Sequence, residues 1–177
     1  MKQKAVFLDR DGTLIEEVNF LNKVEDLCFF SYTDEAVKLM KKNGFLVIVI
    51  TNQSGIGRGI FAESAVHNIH DAIQNHLTEK IDSFYFCPHL PDEGCHCRKP
   101  NLGMIELACK DFEIDLENSW MIGDKILDVE LGFNANIKTA LVKTGYGEKD
   151  QAKLTRKPDL IEESLIDVVK KIVSSKR

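Results

Sequence analysis

Two stretches of this 177-residue chain carry residue types that could do chemistry. The first is Asp9-Arg10-Asp11-Gly12-Thr13. Aspartates at i and i+2 in a tight turn aim two carboxylates at one space, and Gly12 permits the backbone conformation that such a turn needs. Two close anions are stable only with a counter-cation or a shared proton. A hard cation such as Mg²⁺ takes carboxylate, carbonyl and water oxygens. Standing alone, the pentapeptide has a second, less favoured reading as a solvated Asx-turn that binds nothing. The second stretch runs from Cys87 to Cys97 in the pattern C-x-H-x5-C-x-C. Cys87, His89, Cys95 and Cys97 suit a tetrahedral Cys₃His zinc site, in which protein atoms fill every position and no water is left for reaction. Such a zinc would order a loop that has no core of its own and would place the next residues, Arg98 and Lys99. His96 is the competing ligand and is expected to face outward. Redox-active or unliganded thiols are the rival reading, but Cys95-x-Cys97 is not the C-x-x-C spacing. Of the five cysteines, Cys28 and Cys109 stand apart. Cys109 falls among Ile105, Leu107, Ala108 and Phe112 and reads as a small buried helix residue.

These residues need a scaffold, and the chain alternates strand and helix patterns. Apolar runs predict strands at 5–8, 45–50, 84–86, 120–122 and 139–142. Apolar spacing at 3.6 residues predicts helices at 34–43, 62–79, 103–112, 126–133 and 162–174. The alternation implies an α/β layered sandwich with a parallel sheet. Ligands of such sheets sit outside the carboxyl ends of the strands. Asp9, Thr51, Cys87 and Asp124 occupy four of those ends. The helix at 62–79 carries His67, His70 and His76 without the carboxylate pattern of a metalloprotease, so they read as surface or partly buried helix residues.

The strand ends assemble what a phosphoryl group requires: a nucleophile, a metal and donors for its oxygens. Thr51 adds a hydroxyl, Arg98-Lys99-Pro100 two cations, and Gly123-Asp124 with Asp128 two further carboxylates. Over residues 5–128 this set resembles the haloacid-dehalogenase superfamily of phosphotransferases. The resemblance implies a Rossmann-like three-layer sandwich in which Asp9 is the nucleophile and Asp11 the general acid and base. It implies that Thr51 and Lys99 hold phosphoryl oxygens. Mg²⁺ would lie on Asp9, the Asp11 backbone carbonyl and Asp124, with Asp128 steadying Lys99 or the metal waters.

The segment C-P-H-x-P ahead of C-x-C-R-K-P resembles two branches of that family. One acts on heptose 1,7-bisphosphate and the other on histidinol phosphate. Residues 51–59 (Thr51 to Gly59) and Gly123-Asp124-Lys125 look more like the heptose branch. That likeness implies removal of the 7-phosphate, with Arg10, Asn52, Gln53, Ser54, Arg98 and Lys125 among the substrate contacts. It also places Glu17, Val18, Asn19 and Phe20 near the sugar. Glu17 would repel phosphate and suits sugar hydroxyls, while Phe20 is equally a hydrophobe packed on the core. Arg58 either reaches a distal phosphate or is a solvated loop residue. Leu102 departs from the family, which commonly has proline there, and this touches substrate fit rather than chemistry.

Length and composition set the outer limits. One domain spanning 1–177 is expected at about 150 residues per domain. Apolar residues make up 44% and charged residues 29%, ordinary globular values that exclude disorder as the default. A net charge of −5 argues against nucleic acid or an anionic membrane as a partner held by bulk charge. No apolar run reaches about 18 residues, and the first residues do not read as a signal peptide. A soluble, cytoplasmic monomer with a sugar phosphate as its small-molecule partner is the resulting expectation. No segment is long enough for a separate cap domain, which leaves residues 14–33 and the cysteine loop to border the site. A reading from another class is a zinc-stabilised phospho-ligand binding module with little turnover.

Overall fold

The computed structural model describes residues 2–174. β1 (Ala5–Leu8) lies inside the sheet with all four residues buried. Its side chains alternate: Ala5 and Phe7 enter one apolar cluster, Val6 and Leu8 the other. A strand covered on both faces requires this. β2 (Leu46–Asn52) pairs on one side of β1, with Leu8 opposite Val49. β4 (Trp120–Gly123) pairs on the other, with Leu8 opposite Ile122. β3 (Ser83–Cys87) lies outside β2, and β5 (Lys138–Val142) lies outside β4. β6 (Leu160–Glu162) completes the order β3-β2-β1-β4-β5-β6, and every pairing is parallel.

Helices cover both faces. α1 (Thr33–Lys42), α2 (Glu63–His76) and α6 (Leu165–Ser174) bury Val37, Ile69 and Val168 in the cluster that holds Val6. α3 (Gly103–Asp111) and α4 (Ile126–Asn134) bury Met104, Ala108 and Leu131 against Phe7. A short α5 (Gly147–Gln151) follows β5. This is the expected Rossmann-like sandwich. The chain steps outward from β1 to β3, then returns beside β1 as β4. The crevice at that reversal is where such sheets bind ligands, and Asp9 and Asp124 are the residues that enter it. Among the described residues no helix is long and apolar enough to cross a membrane.

Several elements differ from the sequence reading. The helix expected over 162–174 begins at Leu165, because Leu160 and its neighbours form an edge strand opposite Ala140. Three residues are too few for periodicity to separate strand from helix. The helix expected over 62–79 ends at His76, where Leu77 turns extended. Cys109 is exposed rather than buried, and so is Leu107; the buried stripe of α3 is Met104, Ile105 and Ala108. His70 is buried and stacks on Phe84 with ring centroids 4.4 Å apart.

Ser119 ties the start of β1 to the approach to β4. Its hydroxyl accepts from Ala5 N at 2.8 Å and donates to Asp115 O at 2.6 Å. Ser119→Ala leaves a buried N–H unpaired and is expected to lower stability by about 1–3 kcal/mol in urea unfolding.

Candidate active site

Asp9 follows β1 directly. Its Oδ1 accepts from Arg10 N at 2.7 Å and faces Lys99 Nζ at 2.9 Å; its Oδ2 lies 3.5 Å from Lys125 Nζ. Burial pushes the carboxyl up, but Lys99 and Lys125 outweigh it and hold the group at about 2. Asp9 is therefore an anion.

Lys99 is buried beneath it. Nζ donates to Ile50 O at 3.0 Å and to Asp128 Oδ1 at 2.7 Å, besides its contact with Asp9. Three acceptors match the three protons of an ammonium. Burial alone would pull this lysine down, but Asp128 and Asp9 raise it above the ordinary value. Asp128 sits in the first turn of α4. Its Oδ2 accepts from Lys125 N at 3.0 Å, so one carboxylate caps the helix and holds Lys99. Asn52 fixes the lysine's backbone. Its Oδ1 accepts from Lys99 N at 3.0 Å and its Nδ2 donates to Lys99 O at 3.3 Å. Asn52, expected to meet substrate, also lines the cavity over the site.

Asp124 follows β4 and is fully buried. Its Oδ2 accepts from Tyr146 N at 2.8 Å, and its Oδ1 is 3.4 Å from Lys125 Nζ. Burial and the Asp9 charge push its carboxyl up to about 8, with Lys125 opposing them. Asp9, Asp124 and Asp128 offer oxygens within 4.8 Å of one another. Three buried carboxylates face two lysines, so with all three ionised the cluster falls one positive charge short. Its donors are hard oxygens, which fit a small divalent cation.

The Asp11 carboxylate does not join that cluster. Arg10 Nε donates to its Oδ2 at 3.0 Å and Arg10 Nη2 to its Oδ1 at 3.2 Å, a forked pair. Gln53 Nε2 donates to Asp11 Oδ2 at 3.0 Å and to Thr51 Oγ1 at 2.9 Å. Arg10, also expected to touch substrate, is among the residues that line the cavity over the site. Its relative exposure is 0%, and its guanidinium is committed to Asp11 and His70.

A cavity of about 270 Å³ opens over this centre. Asp9, Thr51, Gln53, Ser54, Arg98, Lys99 and Lys125 line it, and Glu17, Val18, Asn19 and Phe20 form the facing wall. Phe20 is 36% exposed, not packed on the core, and adopts φ 52°. Glu17 Oε2 lies 3.4 Å from Lys125 Nζ. Burial raises the Glu17 carboxyl, against Lys125. Arg58 is exposed and lies outside the cavity lining, its guanidinium carbon 6.0 Å from the Phe20 ring. Tyr146 and Leu127 line the cavity and were not foreseen. Tyr146 also carries the Lys125 ammonium 5.1 Å from its ring centroid. It follows the end of β5, the one predicted strand whose end the sequence reading left uncompared.

The cysteine loop closes as its spacing suggested. Sγ–Sγ distances among Cys87, Cys95 and Cys97 run from 3.1 to 3.7 Å, and His89 Nδ1 is 3.2 Å from Cys97 Sγ. A tetrahedral zinc with ordinary Zn–S bonds has edges of about 3.7 Å, so the set fits that ion. His96 points away and meets Glu106 at 2.6 Å. Arg98 Nη1 donates to His89 O at 3.1 Å, and Asn101 Nδ2 to Cys95 O at 2.7 Å. The residues on either side of Lys99 are thus tied to the loop.

Comparison with known proteins identifies the family. A family model described as HAD-hydrolase-like matches residues 96–168. A D-glycero-beta-D-manno-heptose-1,7-bisphosphate 7-phosphatase of Haemophilus ducreyi is 38% identical over 180 residues, covering 96% of this chain and 98% of its own. A D-glycero-alpha-D-manno-heptose-1,7-bisphosphate 7-phosphatase of Photorhabdus laumondii is 43% identical over 159 residues, covering 82% and 85%. The crystal structure of D,D-heptose 1,7-bisphosphate phosphatase from B. bronchiseptica, complexed with magnesium and phosphate, matches with a TM-score of 0.90. It is 28% identical and covers 97% of this chain and 99% of that one.

A divalent cation that enters the carboxylate cluster must displace the Asp124 proton. Its affinity should therefore rise with pH while Asp124 is protonated, by about tenfold per unit, and level off above about pH 8. Calorimetric titration between about pH 6 and 9 measures this, and the same titration of Asp124→Asn should lose most of the binding.

Proposed function

The chain belongs to the haloacid-dehalogenase-like family and is a phosphatase, and we propose that it removes the 7-phosphate of D-glycero-D-manno-heptose 1,7-bisphosphate. The observation that carries this reading is Asp9: an ionised carboxylate at the floor of the cavity, faced by two lysines and flanked by two further buried carboxylates. Relatives that bear this activity match nearly the whole chain.

In the proposed reaction Asp9 attacks phosphorus, and the bond to the C7 oxygen of the sugar breaks. An aspartyl-phosphate forms on Asp9. Asp11 gives its proton to the departing alcohol, then takes one from the water that attacks the aspartyl-phosphate. Phosphate leaves and the Asp9 carboxylate is restored. Splitting one displacement into two is the gain of covalent catalysis, and acid–base help of this kind supplies about 10²–10⁴-fold. Thr51 and Lys99 hold phosphoryl oxygens, and Lys99 cancels part of the repulsion between carboxylate and phosphate. Mg²⁺, held by Asp9, Asp124 and the Asp11 backbone carbonyl, would supply the remaining positive charge. Asp128 acts through Lys99. Zn²⁺ on Cys87, His89, Cys95 and Cys97 has only a structural part.

Arg98 and Lys125 are placed to meet the second phosphate, and Glu17 to Phe20 the sugar. Ser54 lines the same wall. Arg10, Asn52 and Gln53 also line the cavity and are kept as substrate contacts, while their side chains position Asp11, Lys99 and Thr51. The enzyme is read as a cytoplasmic monomer with the sugar phosphate as its partner, and without nucleic acid or membrane among its partners. Relatives carry both the alpha and the beta anomer in their names, so both belong in the assay.

Asp9→Asn should abolish phosphate release, and retained turnover would remove Asp9 as the nucleophile. Across both heptose anomers, fructose 1,6-bisphosphate and histidinol phosphate, a heptose should lead in kcat/KM by roughly 10²-fold. A lead for histidinol phosphate would reassign the substrate and leave the catalytic residues in place. Cys95→Ser should lose bound zinc by elemental analysis and melt at lower temperature, with the loss of activity following the loss of fold.

A further inference from the structure

Arg10 is among the largest fully buried side chains of the protein, and its guanidinium is held by partners inside the fold. Two of its nitrogens fork onto Asp11. The third, Nη1, lies 3.4 Å from His70 Nε2. A guanidinium only donates, so the imidazole must accept, and its proton must sit on Nδ1. His70 comes from the middle of α2, outside every motif of the reaction. Its ring is clamped by Phe84, stacked at 4.4 Å, and by Phe86, edge-on at 6.1 Å. Burial and the Arg10 charge keep the imidazole neutral, down to about 3.

We propose that His70 is a positioning residue: it orients the Arg10 guanidinium and, through that fork, sets the direction in which the Asp11 carboxylate exchanges its proton. The helix is the reason this works. Asp11 lies on a loop, whereas α2 packs Val66, Ile69 and Ile73 into the core. The chain from Phe84 through His70 and Arg10 to Asp11 transfers the rigidity of the core to a loop carboxylate. The proposal rests on Asp11 as the proton carrier, and the test separates the two.

The experiment compares kcat/KM on heptose 1,7-bisphosphate with that on p-nitrophenyl phosphate, whose leaving group departs without a proton. kcat/KM covers the step in which the leaving group is released. The variants are His70→Leu, which keeps the volume and loses the acceptor, His70→Gln, whose Oε1 can take the place of Nε2, and Asp11→Asn. His70→Leu should lose about tenfold more on the sugar phosphate than on the aryl phosphate, a part of the 10²–10⁴-fold expected of acid–base catalysis. The loss should fall in kcat rather than KM, and His70→Gln should recover most of it. An equal loss on both substrates, or a His70→Gln as impaired as His70→Leu, would mean that His70 only supports the fold. If Asp11→Asn shows the leaving-group dependence and His70→Leu does not, the role of His70 falls alone. If Asp11→Asn shows none, the proton-carrier assignment falls and takes the proposal with it.

Discussion

A lysine ammonium taken out of water must find an acceptor for each proton, and Lys99 finds its three on different segments of the chain. They are the Ile50 carbonyl in β2, Asp9 after β1 and Asp128 in the first turn of α4. The dependence runs both ways, because each buried carboxylate needs the lysine as much as the lysine needs it. Removing one member of such a set strands the charge of the others, whereas apolar residues of equal volume would pack at no loss. The set therefore adds little to stability. It fixes the relative position of three strand ends, and so the place where a phosphoryl group meets Asp9.

Everything around Lys99 serves to keep it there. Asn52 grips both polar groups of its backbone. Arg98 before it and Asn101 beyond it bond to carbonyls of the cysteine loop. The loop does no chemistry, yet its folding reaches the catalytic floor through two hydrogen bonds and the chain itself. On the opposite side, Arg10 and Gln53 hold the Asp11 carboxylate away from the carboxylate cluster. The two aspartates of the first motif thus occupy distinct electrostatic settings two residues apart. Asp9 faces lysines beside other anions, while Asp11 faces a guanidinium and an amide.

The parts legible in the sequence were those set by chain direction. Asp9, Thr51, Cys87 and Asp124 follow apolar runs, and a parallel sheet places all such residues at one edge. What the sequence hid was the direction of each polar side chain. Arg10, Asn52 and Gln53 line the cavity, and the sequence did not show that their polar groups also bond to Asp11, Lys99 and Thr51. Residue type states what a group can bond and leaves open which neighbour it meets. His70 was hidden for another reason. It occupies the buried stripe of α2 with Val66, Ile69 and Ile73, but the sequence reading grouped it with His67 and His76 as a surface or partly buried residue. A histidine in that stripe signals a polar partner inside, and Arg10, with no obvious solvent role in its turn, was available to be that partner. β6 escaped because three residues carry no readable period.

Glycines mark where the strand ends touch. A Cβ on Gly12 would lie 2.3 Å from Asp124 Oδ2, and one on Gly145 would lie 2.2 Å from the same oxygen and 2.7 Å from Gly12 Cα. Thr144 Oγ1 closes the contact by donating to Gly12 O at 2.6 Å. The turns after β1, β4 and β5 are locked together with no spare room, and none can shift without displacing the other two. The wall made by Glu17, Val18, Asn19 and Phe20 has no such lock. Mutational drift is thereby divided in space: the side that makes and breaks bonds tolerates almost no change of shape, while the side that faces the sugar can be rewritten residue by residue. A new substrate can be acquired on this scaffold without relearning the reaction.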